Sequence, residues 1–429
     1  MPRVHKPSSP SAGPRGFALL VQAKPDADGV VDEKVLTELQ AAYGDASASF
    51  SGKDELTFDE FCALFARPPT AGADGGGDTM TMACRDETAQ FSPHRINRRA
   101  VGDVDVRIQV THASICHSDM HTAKSEWPGT KYPCIPGHEI VGIVTEVGPK
   151  VTKFKVGDRA GVGCMVNSLC GGRSCTHCKA GNEQYCEKGM VGTYGGVDLD
   201  GSTTYGGYST AIVVVEDFVL HIPDGMPLEG AAPLLCAGIT TFSPLVHYGL
   251  NQPGMTIGVV GLGGLGAHAT RIAKAMGCKV TAISTSPGKE AEVREKLGAD
   301  DFILSSSPES LAEHAKTLDG IIDTVSAQHE LGPLLDLLKT GGKLVMLGAS
   351  PLPPTLPIFS LLFRRLTIGG SLIGGIAETQ EMLDFCAKHS IILPYETIPA
   401  SYINKAYERM LKNDVKYRFV IDIQGTLIA

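Results

Sequence analysis

Apolar positions along the 429 residues fall into distinct textures. From about residue 81, short runs alternate or stay apolar between glycines and prolines, as at 104–111 and 140–147, which predicts β-strands. Near residue 230 the rhythm changes. Strand-like 256–260 leads to helix-like 267–276, strand-like 279–284, helix-like 290–297 and strand-like 302–304; strand-like 320–324, helix-like 330–338 and strand-like 343–347 follow. Strands alternating with helical stretches of about ten residues imply βαβ units and a parallel sheet. Glycine-bounded apolar runs such as 255–261 and 341–348 suit strands buried on both faces. No run approaches the roughly 18–20 apolar residues of a membrane span, and 16–23 is too short for a secretory signal.

Residues 1–80 have a different texture. A Pro/Ser-rich start (6–15) and a Gly/Ala/Asp stretch (71–78) that reads as a flexible linker enclose two helix-like pieces, 33–43 and 57–66. Each piece follows an acidic or polar turn, an outline that resembles a degenerate EF-hand pair. If Glu60 is the twelfth loop position, Ser49 is first, Ser51 third, Lys53 fifth, and Asp54 stands where glycine belongs; in the first loop Val35 replaces the glutamate. A calcium site needs several carboxylate oxygens at alternate positions and that bidentate glutamate. The segment is therefore read as a packing or interaction appendage, with regulation, docking and organelle targeting all open. Its first 25 residues carry basic but no acidic side chains.

Composition narrows the class. A hydrophobic fraction of 43% with 20% charged residues is ordinary for a globular protein. The net charge of −9 leaves no footprint for nucleic acid or an anionic membrane. Without a signal segment, a reducing cytoplasmic setting is the expectation, and in it crowded cysteines point to metal thiolates rather than disulfides. Four of the 12 cysteines, Cys170, Cys175, Cys178 and Cys186, form C-x4-C-x2-C-x7-C. Four thiolates in one short loop can close a tetrahedral zinc shell with no open position, which is a structural site. His177 lies inside this cluster as a bystander.

Gly261-Leu262-Gly263-Gly264-Leu265-Gly266 fits G-x-G-x-x-G, directly after an apolar strand and at the start of an apolar helix. In that context the glycines allow a tight turn and close approach of a pyrophosphate to the helix N-terminus. The end of the second strand selects the cofactor. An NAD site usually carries Asp or Glu there; here Ser284-Thr285-Ser286, followed by Lys289, offers three hydroxyls and a cation to a 2′-phosphate. The reading is NADP(H).

Three further strings are dispersed: Cys116-His117-Ser118-Asp119-Met120-His121, Gly137-His138-Glu139, and Leu234-Leu235-Cys236-Ala237-Gly238. Together with the four-cysteine loop and the glycine turn, in this order, they resemble the zinc-containing medium-chain alcohol dehydrogenases. The match is tightest to the cinnamyl alcohol dehydrogenase and bacterial aldehyde reductase branch, through YPCIPGHE (132–139), AAPLLCAGITTFS (231–243), GIIDTVS (320–326) and NDVKYRFVID (413–422). It covers the chain from about residue 82.

The resemblance implies an α/β architecture: a GroES-like β-rich catalytic domain (81–235), a Rossmann doubly wound parallel sheet (236–373) and a return to the catalytic domain (374–429), preceded by the N-terminal extension (1–80). It implies Cys116, His138 and Cys236 as catalytic zinc ligands, two thiolates and an imidazole that leave one position open. Glu139 would approach that metal or support its ligands. Two zinc ions per chain are then expected. Ser118 would bond the substrate oxygen and pass its proton through the cofactor ribose to His121. His117 and Arg418 would contact the pyrophosphate, unless Arg418 makes a surface salt bridge, and Thr240 and Thr324 would line the nicotinamide. Trp127 would stack on an aromatic aldehyde or cap the core.

The implied substrate is a small-molecule primary alcohol/aldehyde pair, with reduction by NADPH the favoured direction, and the implied assembly is a homodimer. An NAD-dependent fermentative alcohol or polyol dehydrogenase shares the zinc motifs; a non-catalytic zinc- and nucleotide-binding scaffold or redox sensor would have no use for Ser118 and His121. The chain departs from the family by two extra residues in the four-cysteine loop, assigned to Gly171 and Gly172, and by residues 1–80.

Overall fold

The structure, a computed structural model, describes residues 78–350 and 352–427 together with strands β1 (Val30–Val31) and β2 (Leu56–Thr57). β1 and β2 pair antiparallel, Val31 opposite Leu56, in an N-terminal unit of residues 1–70. The expected helices 33–43 and 58–66 and the linker 71–77 lie outside the described residues. Thr57 and Asp78, read as helix and linker, are strand residues instead.

The second unit opens with the hairpin β3 (Asp78–Cys84) and β4 (Phe91–Asn97). Next come β5 (Asp105–Ser114), helix α1 (His117–Ala123), β6 (Ile140–Val147), β7 (Arg159–Val162), β8 (Met165–Ser168), β9 (Met190–Gly192), β10 (Ala211–Val215) and β11 (Leu220–His221). On β5, Val106, Ile108 and Val110 are buried while Arg107 and Gln109 turn outward, the period-2 pattern of a sheet with one face on the core.

Helix α2 (Ala237–His247), buried along most of its length, leads into a six-stranded parallel sheet. Its members are β12 (Thr256–Val260), β13 (Lys279–Ser284), β14 (Asp301–Leu304), β15 (Leu318–Asp323), β16 (Leu338–Met346) and β17 (Thr367–Gly370), in the order β14-β13-β12-β15-β16-β17. Counted from β12 this is 3-2-1-4-5-6, the doubly wound dinucleotide order, and its reversal lies between β12 and β15. Ile257, Val259, Ile321, Ile322, Leu344 and Val345 are fully buried, as strands covered on both faces require.

Helix α3 (Gly264–Ala275) begins three residues earlier than hydrophobicity predicts, because the glycines themselves form its first turn. The predicted helix 290–297 is one α-turn followed by a wide π-turn over Val293–Leu297, which Gly298 ends in the left-handed conformation. The chain then returns through β18 (Tyr395–Pro399) and β19 (Arg418–Asp422). β19 pairs with β5, completing the order β11-β7-β6-β5-β19-β18 with β10 also against β5. This closure carries Arg418, at the head of β19, toward residues more than 250 positions earlier.

Candidate active site

The dispersed strings converge. Cys116 is the N-cap of α1, immediately after β5; His138 and Glu139 precede β6; Cys236 precedes α2. One donor atom from each of these four buried residues lies within 4.8 Å of the others. The Cys116 and Cys236 Sγ atoms are 4.0 Å apart. A zinc ion with Zn–S bonds of about 2.3 Å holds its sulfurs roughly 3.8 Å apart, so the separation fits. The charge balance fits as well. The hydrogen bond with Cys236, helped by His138 and Arg418, holds the Cys116 thiol well below its usual range, the direction a metal-binding thiolate requires. Burial pushes Glu139 up to about 7 although Arg418 pulls the other way. Its Oε1 takes a 3.3 Å bond from Arg418 Nη2, while the buried Oε2 has no partner and is free for a cation.

Asp119, which motif reading leaves without a role, ties the pocket together. Fully buried, it accepts bonds from Cys116 N (3.0 Å), Gly137 N (3.0 Å) and His138 Nδ1 (2.9 Å). The last bond leaves His138 Nε2 for a metal, the usual carboxylate–histidine arrangement. Glu126 is the other omission: its Oε2 is 2.5 Å from His121 Nδ1. Only a folded chain could reveal either partner, since no motif places them.

Cys116, His117, Ser118, His121, Trp127, His138, Cys236, Thr240 and Leu265 all line one cleft of about 580 Å³. Ser118 Oγ is 3.4 Å from Cys116 Sγ. Trp127, 38% exposed, stacks on His121 with ring centroids 5.0 Å apart, so it is a cleft wall and not a core cap. Thr240 Oγ1 is buried there without a partner. Thr324 does not reach the wall: its hydroxyl bonds Val260 O at 2.7 Å, and Ser326 takes the lining position. Cys164, Met190 and Tyr205 complete parts of the wall that sequence reading did not single out.

A second cleft of about 420 Å³ is lined by His117, Gly263, Gly264, Lys289 and Arg418. The glycine turn has the room a dinucleotide needs. A Cβ on Gly266 would come within 1.8 Å of Gly261 O, and one on Gly264 within 2.3 Å of Arg418 Nη1, whereas Gly263 faces open space. Gly261 has φ +83°. Arg418 is buried against Glu139, which rules out the surface salt bridge. At the end of β13, Ser284 is buried with its Oγ accepting from Ser286 N (3.2 Å), while Thr285, Ser286 and Lys289 are exposed. Lys289 has no ion-pair partner among the described residues.

In the four-cysteine loop Sγ separations of 3.6 Å (Cys170–Cys178) and 3.9 Å (Cys175–Cys186) also fit a tetrahedral zinc shell. The Cys175 backbone N–H and the Ser168 hydroxyl hold the Cys170 thiol down to about 5. Gly171 and Gly172 take positive φ (67° and 55°) with open space around them, so the two extra residues bulge outward and leave the sulfurs together. The next residue, Arg173, pairs with buried Glu183. His177 is exposed and outside the cluster.

Residues 102–224 match the alcohol dehydrogenase GroES-like domain, and residues 264–388 the zinc-binding dehydrogenase domain. Vomilenine reductase from Rauvolfia serpentina is 56% identical over 81% of this chain and 95% of its own length. A probable mannitol dehydrogenase from Fragaria ananassa is 57% identical over 80% of this chain and 95% of its own. Among solved structures, a cinnamyl alcohol dehydrogenase from Sorghum bicolor superposes with TM-score 0.79 at 47% identity, covering 82% of this chain and 99% of that one. The Helicobacter pylori cinnamyl alcohol dehydrogenase complexed with NADP(H) gives 0.75 at 41%, covering 81% and 99%. The chain belongs to the zinc-binding medium-chain alcohol dehydrogenase family, on its cinnamyl alcohol dehydrogenase-type branch.

Proposed function

We propose that this alcohol dehydrogenase interconverts a primary alcohol and its aldehyde, cinnamyl-type or more broadly aromatic and aliphatic, with NADP(H). The observation that carries the reading is the Cys116–His138–Cys236 cluster on the wall of the cleft that Ser118 and His121 also line. Cys116, His138 and Cys236 would hold a catalytic zinc, with Glu139 able to approach it, and Cys170, Cys175, Cys178 and Cys186 a structural one. When bound, the catalytic zinc supplies Lewis-acid polarisation of a substrate oxygen and the nicotinamide supplies hydride.

The chain's own groups orient the reactants and move the proton. Ser118 Oγ bonds the substrate oxygen. His121 has its Nδ1 engaged by Glu126, which leaves Nε2 to give or take the proton, and the pair is open enough to exchange it with solvent. Trp127 offers a flat face to an aromatic substrate. His117 and Arg418 face the pyrophosphate position beside Gly263, and Thr240 the nicotinamide side.

The preference for NADP(H) rests on the serines and Lys289 where an NAD site carries a carboxylate, and a relative bound to NADP(H) agrees with it. Two copies would pair through the edge of the parallel sheet. There the helix Ile358–Arg364 leaves Phe359, Leu362 and Phe363 67–81% exposed, more apolar area than a lone surface usually shows. Phe363→Glu should then shift the enzyme to a monomer in light scattering.

The deciding assay follows NADPH and NADH oxidation with cinnamaldehyde and an aliphatic aldehyde, and mannitol oxidation in reverse, on the parent and Cys236→Ser. NADPH-dependent aldehyde reduction that the mutation abolishes is the expected result. Preferential mannitol turnover with NAD would favour a polyol dehydrogenase, as the similarity to the Fragaria protein suggests. Absence of turnover would leave only the scaffold reading.

A further inference from the structure

Arg98 follows β4, far from every motif, and its guanidinium is buried with only neutral oxygens as partners. Nε donates to Ala211 O (3.0 Å), Nη1 to Tyr205 O (2.6 Å), and Nη2 to Gly206 O (2.9 Å) and Ser209 Oγ (2.8 Å). Burial, with Arg107 and Arg99 nearby, pushes its pKa down to about 9, so it remains a cation at neutral pH. Four convergent acceptors are what an unpaired buried cation requires. All four belong to one turn, 205–211.

That turn is the back wall of the metal-ligand segment. Gly206 N bonds Ile135 O (2.8 Å), Tyr208 N bonds Pro136 O (3.0 Å) and Gly207 N bonds Gly137 O (2.9 Å). The contact is so close that a Cβ on Gly206 would lie 2.3 Å from Pro136 O, and one on Gly207 2.4 Å from Ile140 Cγ1. His138 comes next in the chain. Thr203 and Thr204, just before the turn, and Tyr205, its first residue, line the substrate cleft. Arg99 extends the grip from the same loop, with Nε 3.8 Å from Asp200 Oδ2.

We propose that Arg98 is a positioning residue for the active site: by gathering the carbonyls of the 205–211 turn it sets both the segment that presents His138 and the cleft wall at Tyr205. Four bonds from one rigid planar group fix the turn more tightly than a lysine's point charge could. The glycines at 206 and 207 supply no side chains to hold the turn themselves. This rests on the zinc reading of Cys116, His138 and Cys236.

The test uses purified zinc-loaded parent, Arg98→Lys, Arg98→Met and Ser209→Ala. For each, thermal unfolding, aldehyde KM and kcat, NADPH affinity and the rate of zinc release to a chelator are measured. Arg98→Met should raise aldehyde KM and speed release of one zinc by about tenfold or more, with NADPH affinity within about twofold, since the nucleotide cleft lies on other elements. Arg98→Lys should recover part of this, and Ser209→Ala, which removes one acceptor of Arg98 and the hydroxyl's own bonds to Gly206 O and Ala211 O, should shift KM and release in the same direction by a few-fold. If Arg98→Met does not fold, the other two variants decide. Folded variants with parental KM and release rates, whatever their melting temperatures, overturn the proposal and reduce Arg98 to a folding residue. A parent that binds no zinc at the cluster instead overturns the metal reading beneath it.

Discussion

Asp119 offers the sharpest test of how the metal cluster is held. Its carboxylate satisfies three buried donors at 2.9–3.0 Å: the backbone N–H of Cys116, that of Gly137, and His138 Nδ1. Asp119→Asn keeps the volume and one acceptor oxygen. Its amide, however, must face either Cys116 N–H or the Gly137 and His138 donors, so at least one donor is left unsatisfied. Each such loss costs about 1–3 kcal/mol. Asp119→Ala strips all three and should cost up to three times that, on the order of 3–9 kcal/mol. Loss of the support behind His138 should also weaken the catalytic zinc by roughly 10–100-fold, or about 1.4–2.7 kcal/mol. Zinc binding proposed at the four cysteines, which lie elsewhere, should be untouched. Chelator competition with zinc counted per chain, alongside urea unfolding, measures both quantities. An Asp119→Asn enzyme with parental zinc affinity and an unchanged unfolding midpoint would refute the reasoning.

Gly266→Ala places a methyl within 1.8 Å of Gly261 O and should destabilise the turn and abolish NADPH binding in fluorescence titration, whereas Gly263→Ala, facing open space, should fold normally and lose only cofactor affinity. Ser284→Asp restores the carboxylate that the end of β13 lacks; like charges about 4 Å apart cost on the order of 1–4 kcal/mol, so NADPH KM should rise roughly ten- to a hundredfold with little change for NADH in steady-state assays. Burial pushes His268, on α3, from its ordinary 6.5 down to about 3. Its folded pKa lies below the unfolded one, so the stabilisation is complete above pH 6.5 and is lost as pH falls toward 3, by about 1.4 kcal/mol per pH unit. Urea midpoints at pH 7.5 and 5 should therefore converge in His268→Gln relative to the parent.

The sequence by itself determined the parts whose chemistry is local. A parallel sheet follows from apolar runs spaced by helical stretches, and β12, β13 and β6 carry the bounds their patterns predict, because burial on a face depends on periodicity alone. The glycine turn and the four-cysteine loop are legible because all their donors lie within a few residues of one another. Cys116, His138 and Cys236 are different: 120 positions separate the outer two, and only likeness to a family suggested them before β5, β6 and α2 brought them together. The roles of Asp119, Glu126 and Arg98 are hidden from the sequence for the same reason. Each residue acts through partners that sequence spacing does not define, whether across a helix turn, between loops or in a turn more than 100 residues away. Thr324 shows the reverse: family likeness placed it on the nicotinamide wall, yet its hydroxyl is spent on Val260 O and Ser326 lines the cleft. What tertiary structure alone decided is which polar groups are left buried without a partner, Glu139 Oε2 and Thr240 Oγ1 among them, since an orphaned atom exists only once packing has removed the water.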